Sequence, residues 1–120
     1  MKEFENSVYY NGSDYCMQSL KLQEISENAE TPFYVYDMDY IIKKYNKLKA
    51  SFPWENVRLF YAMKANYNPV MLKIMKENGF CLDTVSPAEV ILAKKIGFAS
   101  ENILFTANNM TDKDMEVIKA

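Results

Sequence analysis

A lysine is the residue of this sequence that is best suited to covalent chemistry. Lys64 comes directly after the apolar run of residues 59–63, which predicts a strand. Apolar surroundings disfavour the charged form of an amine, and the neutral amine is the form that attacks an aldehyde to give a Schiff base. The position therefore indicates an imine-forming lysine, with the alternative that the side chain only leaves the sheet and extends to water.

The sequence has no histidine, which removes several classes of active site from consideration. Ser-His and Cys-His nucleophile pairs are excluded, and so are nearly all zinc sites. Cys16 and Cys81 lie far apart and form no ligand pair, and Cys81 falls in a strand-like run that predicts a small buried hydrophobic residue. We therefore expect no metal, and chemistry that depends on Lys, Asp, Glu or Tyr side chains or on a cofactor.

Other polar side chains follow predicted strands. Three apolar runs, at residues 57–63, 80–85 and 103–106, have the composition of strands. In parallel β/α folds, ligands bind where the carboxyl ends of the strands meet. The side chains expected at that edge, besides Lys64, are those of Asn66, Asp83, Ser86, Thr106, Asn108 and Asn109.

Each predicted strand is followed by a predicted helix. Asn68 is a suitable N-cap for the first helix, and Ser86 with Glu89 forms a capping box for the second. Gly79 and Gly97 follow these two helices as stop residues. Strand–helix alternation predicts an α/β fold with a parallel sheet, either a β/α barrel or an open doubly wound sheet.

The number of repeating units is small for such a fold. An eight-unit barrel needs about 250 residues, whereas this chain has 120 and three units. Three parallel strands alone would leave an open apolar edge. We therefore expect the chain to be the N-terminal piece of a longer protein.

The segment before these units is less regular. The first 30 residues are weakly patterned, with Asn11-Gly12 as a predicted tight turn. Phe33–Tyr36 is a run of aromatic and β-branched residues that predicts a strand. Apolar residues from Ile41 to Phe52 recur at steps of three and four, which predicts an amphipathic helix that Pro53 ends.

Composition places the chain in the globular class, with 49% hydrophobic residues, 25% charged residues and a net charge of -2. No basic patch alternates with aromatic residues, so we expect no nucleic-acid partner. No apolar run approaches the roughly 18 residues of a membrane span, and we see no signal peptide. A cytoplasmic location is therefore expected.

Four segments resemble motifs of one enzyme family. Residues 61–66, Tyr-Ala-Met-Lys-Ala-Asn, are similar to the motif that carries the cofactor lysine in alanine-racemase-type (fold type III) decarboxylases. Residues 31–37, 82–89 and 107–111 resemble, in the same order, segments of diaminopimelate decarboxylases within that family. The four segments cover residues 31 to about 111.

The resemblance implies a fold and a reaction. It implies that Lys64 binds pyridoxal 5'-phosphate as a Schiff base and that an amino acid loses its carboxylate, with meso-diaminopimelate giving L-lysine in lysine biosynthesis. Residues 37–120 would be the first βα units of an incomplete pyridoxal-phosphate-binding TIM-like barrel, and residues 1–36 a leader plus a strand of a separate β domain. The complete enzyme would be a homodimer, and the 120 residues alone would be inactive.

The same resemblance implies roles for other residues at the strand ends. Asp83 matches a cofactor-binding aspartate, with local backbone hydrogen bonds as its alternative. Glu89, Ser86 and Asn109 are further candidates at this edge. A capping role alone explains Glu89, and asparagines in loops often serve only to tolerate unusual backbone angles.

The sequence also departs from the family pattern. No glycine-rich phosphate-binding loop is found, the histidine that stacks on the cofactor is absent, and Ala107 replaces a glycine. The alternatives are an ornithine- or arginine-type decarboxylase of the same fold, a non-catalytic barrel that binds the cofactor, and an inert fragment. An alanine racemase is disfavoured because its lysine motif continues into Tyr-Gly-His, whereas Asn66 here leads to Tyr67-Asn68-Pro69.

Overall fold

The computed structural model of the protein describes residues 7–119. The chain divides into two compact units, with the boundary between Lys44 and Tyr45. The first unit contains three short strands, β1 (Val8–Tyr10), β2 (Tyr15–Met17) and β3 (Leu20–Lys21), followed by helix α1 (Leu22–Ser26).

The three strands of the first unit form an antiparallel sheet in the order β1-β2-β3. The predicted turn at Asn11-Gly12 is confirmed. The Asn11 side-chain oxygen accepts hydrogen bonds from the amides of Ser13 and Asp14, and Gly12 takes a φ of 107°. Sequence patterns did not reveal β1 to β3, because these short strands lie in a weakly patterned segment and not in apolar runs such as those around β4 and β6.

Phe33–Tyr36 forms no strand with the part of the chain that the structure describes, so the strand of a separate β domain stays a prediction. The side chains alternate between half-buried and exposed, as in a strand, but no strand within residues 7–119 pairs with this segment. Helix α2 (Met38–Ala50) follows, and it begins in the first unit and ends in the second. Its start is capped by Asp37, whose carboxylate accepts the Tyr40 amide at 2.9 Å.

The second unit has a parallel three-stranded sheet, which confirms the α/β class. The strands β4 (Phe60–Ala62), β5 (Cys81–Thr84) and β6 (Ile103–Phe105) pair in the order β4-β5-β6. Between and after them lie helices α3 (Pro69–Glu77), α4 (Pro87–Ile96) and α5 (Asp112–Lys119). One-turn 3-10 helices, at Met63–Ala65 and Ser100–Asn102, follow β4 and precede β6.

The predicted N-caps of α3 and α4 and the stop at Gly97 are confirmed, whereas the predicted capping box is half formed, because Glu89 accepts the Val85 amide and not the Ser86 amide. Asn68 accepts hydrogen bonds from the second and third amides of its helix, and Ser86 accepts from the Glu89 amide. Gly97 ends α4 in the left-handed conformation, with a φ of 94°. These caps satisfy amides and carbonyls that a helix leaves unpaired at its ends. They therefore set the first and last residues of the helices that connect the strands.

The core of the second unit lies between the sheet and helices α3 and α4. The central strand β5 is buried along most of its length, and Cys81 is buried as predicted. Leu72 of α3, with 0% exposure, belongs to this core. The other buried apolar residues of this unit are Met63, Met71, Met75, Phe80, Leu82, Val90, Ala93 and Phe98. Within residues 7–119, every helix is too short or too polar to cross a membrane.

Replacing Leu72 by alanine should lower the free energy of unfolding by about 2–5 kcal/mol, because it leaves a cavity in a close-packed core. Val70 lies two residues earlier in α3 and is 70% exposed, so Val70→Ala is the matched control, with an expected change within about 0.5 kcal/mol. Urea unfolding measures both variants, and equal losses would contradict the packing described above.

The first turn of α5 contains a carboxylate that should respond to pH. The amide and hydroxyl of Thr111 donate hydrogen bonds to Asp114 at 2.9 and 2.7 Å, and these bonds lower the pKa of Asp114 below its ordinary value of 3.8. A lowered pKa stabilises the fold above the unfolded-state value, and this contribution disappears as pH falls through the folded-state value.

We therefore expect wild type to be more stable than Asp114→Asn at neutral pH, and the difference to shrink as pH falls below about 4. Glu116→Gln removes an exposed negative charge from the same helix and is the control. Urea unfolding at neutral and acidic pH measures the effect, and a difference that grows on acidification would contradict the assignment.

Candidate active site

The turn that carries Lys64 is held on both sides of the lysine. β4 ends at Ala62, and Lys64 lies in the 3-10 turn Met63–Ala65 that follows. The Tyr61 hydroxyl donates to the Asn66 carbonyl at 3.3 Å, so the residues before and after the turn are joined across it. The Asn66 side chain in turn accepts the Asn68 amide at 3.0 Å, which leads the chain into α3.

Lys64 is exposed, so the apolar surroundings expected of it are not present in the described part of the chain. The physical reason is that Lys64 lies in the 3-10 turn beyond the last residue of β4, where Met63 is the buried residue. Lys64 is found in no hydrogen bond or ion pair with another residue of 7–119. No described residue therefore blocks access to the Lys64 Nζ atom.

Asp83 lies in the central strand, next to the ends of both neighbouring strands. It is paired in register with Ala62 of β4 and with Leu104 of β6. Its carboxylate accepts a hydrogen bond from the Thr106 hydroxyl at 2.6 Å, and not the local backbone bonds considered as the alternative. Its second oxygen, Oδ2, has no hydrogen-bond partner among residues 7–119.

Ser86 and Glu89 act on the backbone at the start of α4. The Ser86 hydroxyl accepts the Glu89 amide at 3.3 Å, and the Glu89 carboxylate accepts the Val85 amide at 2.7 Å. In a strict capping box, the Glu89 carboxylate would accept the Ser86 amide. Here it accepts the amide of Val85, which lies one residue closer to the strand. Both side chains are engaged in joining β5 to α4.

Asn108 and Asn109 lie exposed in the loop between β6 and α5. Neither has a positive φ, since Gln18 is the non-glycine residue with that conformation among residues 7–119. The structure gives Asn109 no hydrogen bond to another described residue, Asp83 included.

Thr106 is the residue whose role sequence reasoning missed. Its place after a strand was predicted, but its hydrogen bond to Asp83 was not. The register supplies the signal: Asp83 faces Leu104, and Thr106 lies two residues further along, on the same face of the sheet. A diagonal pair of this kind can be found only when the pairing of the two strands is known.

The residues at this edge suit pyridoxal phosphate at its aldehyde end. A primary amine without a protein partner can condense with an aldehyde. A carboxylate oxygen without a partner, on the next strand, can face a positively charged nitrogen. Lys64 and Asp83 provide these two groups at adjacent strand ends.

Comparison with known proteins identifies relatives along most of the chain. It is 31% identical over 115 residues to diaminopimelate decarboxylase of Aquifex aeolicus, which covers 96% of this chain and 27% of that protein. The solved structure of diaminopimelate decarboxylase from M. jannaschii superposes with a TM-score of 0.87 at 26% identity, over 93% of this chain and 27% of that one.

A third relative is named as a decarboxylase of other amino acids. The lysine/ornithine decarboxylase of Vibrio vulnificus, solved with cadaverine, superposes with a TM-score of 0.75 at 26% identity, over 82% of this chain and 26% of that one. The chain therefore spans about a quarter of the length of these relatives.

The family model described as the pyridoxal binding domain of pyridoxal-dependent decarboxylases matches residues 38–120. This match includes β4, β5 and β6 with the lysine and the carboxylate at their ends. The chain belongs to the pyridoxal-dependent decarboxylase family, with the pyridoxal binding domain as the part that is matched.

Proposed function

We propose that this chain provides the cofactor-bearing lysine of a pyridoxal-phosphate-dependent amino-acid decarboxylase, and that Lys64 is that lysine. The observation that carries the proposal is an amine with no partner among residues 7–119, placed at the carboxyl end of a parallel strand in a pyridoxal binding domain. Among the described lysines, Lys64 is the one that directly follows a strand of the parallel sheet.

The residues at the strand ends have distinct tasks in this proposal. When bound, pyridoxal phosphate supplies an electron-accepting ring that takes up the electron pair left when carbon dioxide departs. Lys64 holds the cofactor through Nζ. Asp83 presents a carboxylate oxygen to the positively charged nitrogen of Lys64. Ser86 and Glu89 fix the backbone that follows β5, and Asn109 lies in the loop at the same edge.

The proposed substrate is meso-diaminopimelate, and the proposed product is L-lysine. Support comes from the relatives: the protein of Aquifex aeolicus, similar along 96% of the chain, is a diaminopimelate decarboxylase. The structure with a TM-score of 0.87 carries the same name. The similarity to the lysine/ornithine decarboxylase makes decarboxylation of ornithine or lysine the alternative function.

The domain and assembly assignments are also proposals. We propose that residues 37–120 are βα units of a β/α barrel, and that residues 1–36 are a leader and a strand of a separate β domain. The alternating exposure of Phe33–Tyr36 supports a strand that pairs with a segment other than residues 7–119. We further propose that the complete enzyme is a cytoplasmic homodimer.

Lys64→Ala should abolish covalent attachment of the cofactor. In the gene product that carries these 120 residues, borohydride treatment should fix pyridoxal phosphate to the peptide containing Lys64, and the variant should lose both the label and the visible absorbance. Lys73→Ala is the matched control, because Lys73 is an exposed lysine within α3. Label on a different lysine in the wild type would show the assignment to be wrong.

Carbon dioxide release should separate the candidate substrates. The same gene product is expected to release carbon dioxide from meso-diaminopimelate at least tenfold faster than from L-ornithine or L-lysine, since a site that hydrogen-bonds a polar group of its substrate discriminates strongly against analogues that lack this group. A preference for ornithine would favour the second function. Label on Lys64 without release from any of these amino acids would favour a non-catalytic barrel.

A further inference from the structure

We propose that Thr106 is a positioning residue. Its hydroxyl holds one oxygen of the Asp83 carboxylate at the strand ends, so that the other carboxylate oxygen can face the positively charged nitrogen of Lys64. This inference rests on the proposed function, because it assigns the hydroxyl a task in holding the cofactor. It concerns a residue that the motifs of the sequence do not mark.

The hydrogen bond itself is short. The Thr106 Oγ1 and Asp83 Oδ1 atoms are 2.6 Å apart, within the range of about 2.5–2.7 Å for a hydroxyl that donates to a carboxylate. Neutral hydroxyl bonds lie nearer to about 2.7–2.8 Å. A bond to a charged group is about twice as strong as a neutral one, so this contact can restrain the carboxylate.

The sheet, and not the loop, sets the position of Thr106. Its amide donates to the Thr84 carbonyl at 2.9 Å, which extends the pairing of β5 and β6 by one step beyond β6. The Thr84 hydroxyl donates to the Leu104 carbonyl at 2.9 Å, and Thr84 has 0% exposure. These two bonds fasten the end of β6 to β5, so the Thr106 hydroxyl is presented by a paired backbone.

The register places Asp83 between two groups. Its neighbour in β4 is Ala62, with Lys64 two residues further on, and its neighbour in β6 is Leu104, with Thr106 two residues further on. Thr106 occupies Oδ1, and Oδ2 has no hydrogen-bond partner among residues 7–119. The Thr106 hydroxyl thus anchors the Oδ1 atom of Asp83 from β6. The Oδ2 atom remains for the positively charged nitrogen of Lys64, which follows β4.

A second pair of the same kind serves as an internal control. The Thr111 hydroxyl donates to the Asp114 carboxylate at 2.7 Å, at the start of α5. Thr111→Val and Thr106→Val each remove one hydroxyl-to-carboxylate hydrogen bond and keep the branched shape of the side chain. Thr111→Val also removes the hydrogen bond that the Thr111 hydroxyl accepts from the Asp114 amide at 3.2 Å, so it is the more disruptive change to the fold and a stringent control for effects away from Asp83.

The experiment measures the dissociation constant of pyridoxal phosphate by absorbance, in the gene product that carries these residues. Thr106→Val should weaken binding about tenfold, the scale of one hydrogen bond to a charged group. Thr106→Ser retains the hydroxyl and should bind within about twofold of wild type, as should Thr111→Val. In an Asp83→Ala background, Thr106→Val should cause no further weakening, because its partner is gone.

Wild-type affinity in Thr106→Val, or equal weakening with and without Asp83, would overturn the inference while the borohydride label on Lys64 still supports the proposed function. Loss of affinity in Thr106→Ser would also overturn it, because the hydroxyl is retained. A wild type without label on Lys64 would overturn both. Thr106 is exposed, and urea unfolding of Thr106→Val and Thr106→Ala would show whether weaker binding comes from loss of the fold.

Discussion

The pairing of β5 with a parallel strand on each side determines which side chains meet in this protein. Because β4, β5 and β6 run in the same direction, their carboxyl ends lie at one edge, and their register brings Ala62 and Leu104 to the two sides of Asp83. Lys64 and Thr106 then follow at equal distance along the chain. A shift of β6 by one residue would turn its alternate side chains to the opposite face and would separate the Thr106 hydroxyl from the Asp83 carboxylate.

Local sequence signals predicted much of the second unit. The caps at Asn68, Ser86 and Gly97 work through side chains and backbone angles within a few residues, so the helix boundaries could be predicted within about two residues. The place of Lys64 at a strand end followed from the same reasoning. Each of these features depends on neighbours in the chain.

Features that depend on distant partners could not be predicted. The alternation in Phe33–Tyr36 is that of a strand, but a strand also needs a neighbour, and residues 7–119 supply none. Lys64 is exposed because the chain leaves β4 at Ala62 and enters a 3-10 turn, which the apolar run before the lysine does not indicate. The bond between Thr106 and Asp83 depends on register, which no single segment contains.

The bond from the Val85 amide to the Glu89 carboxylate ties the direction of a helix to the end of a strand. Val85 is two residues beyond Asp83, so a tilt of α4 would pull on the backbone that carries the carboxylate. A Glu89 variant would therefore lose activity through displacement of the Asp83 backbone as readily as through loss of a reacting carboxylate, and the turnover rate alone would not distinguish the two causes. A mutational scan of this edge thus needs a measurement of whether α4 and the end of β5 keep their positions before Glu89 is counted among the reacting groups.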